Sequence, residues 1–185
     1  MSTATLSAAA TPAMMTAAGK LGMISQYLIF SLGNEQFAVG TLRVREIIEY
    51  GNITSVPMMP AYIRGVINLR GAVVPVIDLN ARFGRAHTEI SRRTCVVILE
   101  VQSDEDTHVL GIVVDAVSAV RQIDSADVEP APSFGTRIRA DFIDGMAKVN
   151  NNFVILLDLG KVLSVDEISV LNGMASSQEP LHTNA

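Results

Sequence analysis

The chain of 185 residues has no tryptophan, a single cysteine, and only 5% aromatic residues. One thiol excludes an intrachain disulfide and suits a reducing compartment. Cys95 lies in the apolar run Thr94-Cys95-Val96-Val97-Ile98-Leu99 and reads as a buried small hydrophobe. So few aromatic rings leave little to stack on nucleic-acid bases, and a net charge of -5 repels phosphate backbones and anionic lipid alike. No apolar run approaches the roughly 20 residues a membrane-spanning helix needs. The alanine-rich stretch Ala8 to Ala18 has no basic residue before it and is broken by Thr11, Pro12 and Thr16, so it does not read as a secretion signal.

The catalytic inventory is equally sparse. Gly-x-Ser-x-Gly, His-Glu-x-x-His, Cys-x-x-Cys and phosphate-loop patterns are all missing. His87, His108 and His182 fall in a linker, a strand and a tail, with no ligand spacing between them. With 49% hydrophobic and 18% charged residues, the chain can nevertheless build a substantial core.

What is present centres on Pro60 to Asp78. Pro60 opens a short helical turn that Gly65 is expected to close by adopting a left-handed conformation. Val66 to Leu69 and Ala72 to Ile77 read as a hairpin with Arg70-Gly71 at its tip. Asp78 is placed to cap a short helix over Leu79 to Phe83. The same grammar returns without a gap eighty residues later: Phe142-Ile143-Asp144-Gly145 answers Tyr62-Ile63-Arg64-Gly65, and Phe153 to Leu159 answers Val73 to Leu79. Such a repeat predicts two copies of one small β module. Where the first copy has Arg70-Gly71-Ala72, the second has Asn150-Asn151-Asn152, an equally good turn with no charge. A turn needs no arginine, which makes Arg70 a candidate for work outside the fold.

Around this repeat, Tyr27 to Leu32 and Gln36 to Val39 form a predicted hairpin. Thr41 is expected to cap a helix over Leu42 to Ile48 with Val44, Ile47 and Ile48 on one face. Arg82 to Arg93 reads as a solvated linker. Thr94 to Val101 and His108 to Val114 are expected to open the second module, Leu110-Gly111-Ile112 echoing Phe37-Ala38-Val39, and Ala116 to Ile123 takes the place of the first short helix. Ser164-Val165-Asp166-Glu167 is a capping box opening a terminal amphipathic helix. Residues 1–23 and 173–185 read as disordered tails around a domain of residues 24–172.

The motifs Val44-Arg45-Glu46-Ile47, Pro60 to Gly71, Val74-Pro75-Val76-Ile77-Asp78-Leu79 and Gly111-Ile112-Val113-Val114-Asp115 together resemble the CheW family, the coupling proteins of bacterial chemotaxis. The resemblance covers about Gln26 to Asn172. It implies a mainly β fold of two tandem five-stranded SH3-like barrels with short helices and a C-terminal amphipathic helix. It also implies a cytoplasmic, non-catalytic adaptor without cofactor or metal, recruited to membrane-associated arrays. Its partners would be chemoreceptor cytoplasmic tips, the regulatory domain of the histidine kinase CheA and further copies of itself in array rings, with no nucleic acid and no membrane insertion. By position, the receptor-contacting residues would be Val44, Glu46, Gly65 and Arg70. The alternative reading is a small β-barrel that binds an oligonucleotide or small ligand.

Overall fold

The computed structural model describes residues 23–102, 106–131 and 138–163, together with Glu167, Val170 and Gly173. Among the described residues, eleven strands make two sheets. β1 (Ile24–Leu32), β2 (Glu35–Gly40), β8 (Ala116–Asp124), β9 (Val128–Glu129), β10 (Ile143–Val149) and β11 (Asn152–Leu157) form a six-stranded sheet in the order β8-β1-β2-β11-β10-β9. β3 (Val44–Glu49), β4 (Ile63–Leu69), β5 (Ala72–Asp78), β6 (Cys95–Gln102) and β7 (Thr107–Val114) form a five-stranded sheet in the order β3-β6-β7-β5-β4. Two one-turn helices, α1 (Leu79–Arg82) and α2 (Leu159–Val162), follow β5 and β11.

Side chains alternate along each strand, and this divides the core into three parts. Ile67, Val74, Val76, Val96, Ile98 and Val113, with Ile48, pack inside the five-stranded sheet, drawing on all five strands including both edges. The sheet therefore wraps around its own interior as a barrel. Ile29, Ala38, Ile123, Ala147, Val154 and Leu156, with Val128, do the same for the six-stranded sheet. The opposite faces of the strands, among them Phe30, Phe37, Ile77, Leu99, Ile112 and Leu157, meet in a central core shared by the two barrels.

The repeat is real and its equivalences hold. β5 pairs parallel with β7 through Val76↔Gly111, and β11 pairs parallel with β2 through the equivalent Leu156↔Ala38. Both Asp78 and Asp158 cap the helix that follows, accepting from Asn80 and Gly160 N–H respectively. The halves nevertheless exchange strands. Residues 44–114 build the five-stranded barrel outright, and the six-stranded one combines β1 and β2 with β8 to β11. Thr94 to Val114 thus completes the first barrel rather than opening the second. The initial hairpin of each repeat is the same in sequence pattern, but its parallel neighbour is the second hairpin of the other half.

Two expected helices are strands. In the first of them Thr41–Arg43 makes a 3-10 turn, and Val44–Glu49 is extended. Ile47, expected on the helix's inner face, is 43% exposed. Ala116–Asp124 is likewise a nine-residue strand. Val44, Ile47 and Ile48 are β-branched, and the pairing offered by β6 outweighs a helical spacing only seven residues long. Gly65 lies within β4 and closes no helix. The two expected tails lie almost entirely outside the described residues, as does the capping box except for Glu167.

Candidate functional site

The β4–β5 hairpin carries the predicted site, and its tip is a tight two-residue turn. Arg70 and Gly71 both have positive φ, +52° and +87°, the pattern of the turn whose twist matches that of paired strands. Asn150 and Asn151 repeat it at +50° and +64°. Asparagine and glycine tolerate that conformation well and arginine poorly, so the Arg70 side chain is not there for the turn. It reaches the far edge of the curled sheet: its Nη1 and Nη2 donate to Glu46 Oε1 and Oε2 at 2.7 and 3.1 Å. The pair is bidentate and lopsided, with Arg70 78% and Glu46 25% exposed.

A β-bulge aims Glu46 at this partner. Val44 opposes Leu99 and Glu46 opposes Ile98, leaving Arg45 as the extra residue. Val44 therefore packs toward the central core, and Glu46, opposite Ile98, lies on the other face of the strand. Gly65 takes no part in the ion pair. At φ +145°, a Cβ there would lie 2.1 Å from the Thr54 carbonyl oxygen. Its role is to let the Thr54 segment approach and bridge Val66, N–H to O in both directions at 2.8 and 2.9 Å. Of the four predicted residues, the structure joins Glu46 and Arg70, sets Val44 beside them on the opposite face, and gives Gly65 a backbone task.

At the base of the same hairpin lies a second charged cluster that sequence reasoning left unassigned. The Asp78 carboxylate is fully buried and accepts from Arg64 Nε at 3.1 Å, Thr88 N–H at 2.9 Å and Thr88 Oγ1 at 2.8 Å, besides its cap bonds. The segment expected to be a solvated linker is thus partly structural. Arg82 lies between the Tyr62 and Phe142 rings, 4.9 and 5.2 Å from their centroids, and donates from Nε to the Val162 carbonyl at 2.7 Å. Arg85 pairs with Glu35 at 2.7 Å. Cys95 is half-buried, its Sγ donating to the Arg93 carbonyl, rather than fully enclosed.

Between the barrels opens a cleft of about 400 Å³ lined by Tyr27, Arg43, Glu100, Val101, Asp144 and Asp158 among others. Burial, and secondly the Asp144 carboxylate, pushes the Tyr27 phenol above its ordinary value of 10.0. Burial and then Glu167 raise Tyr62, partly offset by Arg82. Among the described residues no three His, Cys, Asp or Glu side chains gather as metal ligands would, and no helix is long and apolar enough to cross a membrane.

This geometry has relatives. Residues 26–167 match the CheW-like domain. The chain belongs to that family. It is similar to the chemotaxis protein CheW of Klebsiella aerogenes, 35% identical over 152 residues that cover 82% of this chain and 89% of the relative. The CheW of Rhizobium meliloti is 33% identical over 142 residues, covering 77% and 89%. Protein FrzA of Myxococcus xanthus is 30% identical over 140 residues, covering 75% and 84%. Among solved structures, the scaffolding protein TtCheW from Thermoanaerobacter tengcongensis matches with a TM-score of 0.70 and 34% identity, over 78% of this chain and 91% of that one. Membership in the CheW-like family makes this a chemotaxis scaffold of two β subdomains.

Proposed function

We propose that the protein is a non-catalytic adaptor that couples the cytoplasmic tips of chemoreceptors to the histidine kinase CheA. The observation that carries this reading is the CheW-like match across nearly all of the described fold, residues 26–167. Receptor contact is assigned to the region around Val44 and the Glu46–Arg70 pair, where the two edges of the five-stranded sheet approach, with Gly65 shaping the neighbouring strand. Arg70 holds Glu46 with two of its five donors and has the rest free to meet carboxylates or backbone carbonyls on a receptor helix. The kinase's regulatory domain, and further copies of the chain in array rings, would pack on the barrel ends. The protein would act in the cytoplasm, recruited to membrane-associated arrays, without nucleic acid and without inserting in the bilayer.

A pull-down against receptor cytoplasmic fragments and the kinase, with an oligonucleotide control, tests this directly. Capture of both proteins and no oligonucleotide is the expected result. Oligonucleotide capture alone, or phosphate appearing on this chain from ATP without the kinase, would overturn it.

A further inference from the structure

We propose that the cleft between the two barrels receives a basic side chain, arginine or lysine, carried by the receptor helix that docks beside Val44. This rests on the adaptor reading above and names what the receptor must bring. The template is inside the molecule. In the first hairpin, Arg64 supplies a guanidinium to Asp78, with Nε 3.1 Å and Nη2 2.9 Å from Oδ2, and the Thr88 segment closes over the pair. The second hairpin has the same two fold positions, eighty residues on, occupied by Asp144 and Asp158. The guanidinium has been replaced by a second acid. Asp158 keeps its cap bond from Gly160 N–H at 3.1 Å, has Lys161 Nζ only at 3.9 Å, and is 33% exposed where Asp78 is fully buried.

Both acids face the cleft, which also holds Glu100, already paired with Arg45 from the rim, and a single lining base, Arg43. Apolar side chains, Val101 and Leu157, complete the lining, and the Tyr27 ring stands beside Asp144. A long basic side chain would lay its methylenes on the apolar surface and its charge between Asp144 and Asp158, in reach of an aromatic face. The cleft adjoins the assigned receptor face: Arg43 directly precedes Val44, and Arg45 reaches Glu100 at 3.5 Å. That continuity is what assigns the side chain to the receptor rather than the kinase.

Calorimetric titration with a receptor cytoplasmic fragment tests the inference on the full chain and its D144N, D144R and D144N/D158N variants. D141N, an exposed acid outside the cleft, is the control. Neutralising the cleft should weaken binding tenfold or more and flatten its salt dependence. D144R should weaken it as much while keeping or raising the melting temperature, because the new arginine fills in cis the place that Arg64 fills in the first hairpin. If the unmodified chain binds and all three variants bind equally well, the cleft is not the site and the adaptor reading stands. If the unmodified chain binds no receptor fragment, the adaptor reading fails and the inference falls with it. Loss of kinase binding alone would also overturn it.

Discussion

The two hairpins, Ile63 to Asp78 and Ile143 to Asp158, share register, turn geometry, bulge and helix cap, and three contrasts between them bear on the site. At the base, Arg64-Asp78 is a buried, hydrogen-bonded ion pair and Asp144-Asp158 is an open pair of acids. In the strand, Gly65 faces a backbone carbonyl, whereas Gly145 faces chiefly the Val128 side chain. At the tip, Arg70 stands where Asn150 stands. Features common to both copies are what the module needs in order to fold. Of the differences, the first two are explained by what packs over each hairpin. The third is not, since the asparagine turn has the same geometry and asparagine suits it better.

The sharpest break in the comparison should come from Asp78. Asp78→Asn leaves the Arg64 guanidinium facing a neutral amide at a fully buried position, at a cost of about 3–5 kcal/mol, whereas Asp158→Asn keeps an acceptor for the Gly160 N–H and gives up only a partly exposed charge, about 1 kcal/mol or less. Urea unfolding of the two variants reads the gap directly. Equal losses would mean that the burial of Asp78 contributes nothing beyond its cap.

The glycines come next. In Gly65→Ala the new carbon meets the Thr54 carbonyl at 2.1 Å with φ at +145°, so backbone must move. The expected cost is on the order of 3 kcal/mol. In Gly145→Ala the nearest atom is a methyl of Val128, 2.5 Å away, which can rotate or shift, and the cost should be about 1 kcal/mol. Thermal unfolding in parallel would rank them, and the reverse order would contradict this account of the bulges.

These contrasts also show how far the sequence could be read. The hairpins, their turns and the Asp78 cap were legible because an eighty-residue repeat doubles every local signal. The strand exchange was not, because β6 and β7 carry the same apolar alternation whichever sheet receives them. β3 carries a helical signal because Val44, Ile47 and Ile48 satisfy both periods over so short a run, and only the partner strand decides. Arg70 was legible by its contrast with Asn150, but its bond to Glu46 depends on the sheet curling until its two edges meet. The linker arginines carry no local sign of their role, because Arg82 finds its partners, Phe142 and Val162, in the other repeat. The difference between Arg64 and Asp144 was visible in the sequence, yet its meaning needed the burial of Asp78.

A smaller effect should appear at alkaline pH. Tyr27 and Tyr62 are both raised above 10.0, mainly by burial and then by Asp144 and Glu167 respectively. Each is therefore neutral in the folded protein at pH values where the unfolded chain ionises it. The stability they contribute is fully present below pH 10.0 and is lost as pH rises through the folded values. Asp144→Asn should weaken the rise for Tyr27 and leave Tyr62 alone, by ultraviolet titration of tyrosinate. Equal change at both rings would show that the Asp144 charge is not acting locally.

The smallest effect on stability is expected where the largest effect on binding lies. Replacing Arg70-Gly71 with Asn-Asn grafts the turn of the second hairpin onto the first. It removes an exposed ion pair, about 0–1 kcal/mol, and relieves an arginine of an unfavourable backbone conformation. The decisive measurement is the melting temperature of this variant beside its affinity for a receptor cytoplasmic fragment and for the kinase regulatory domain. The account predicts a melting temperature within a few degrees of the unmodified chain, receptor binding weakened by on the order of 2 kcal/mol or more, and kinase binding nearly unchanged. A variant that unfolds, or one that binds receptor as well as before, would show that Arg70 serves the fold or serves nothing, and that the receptor face lies elsewhere.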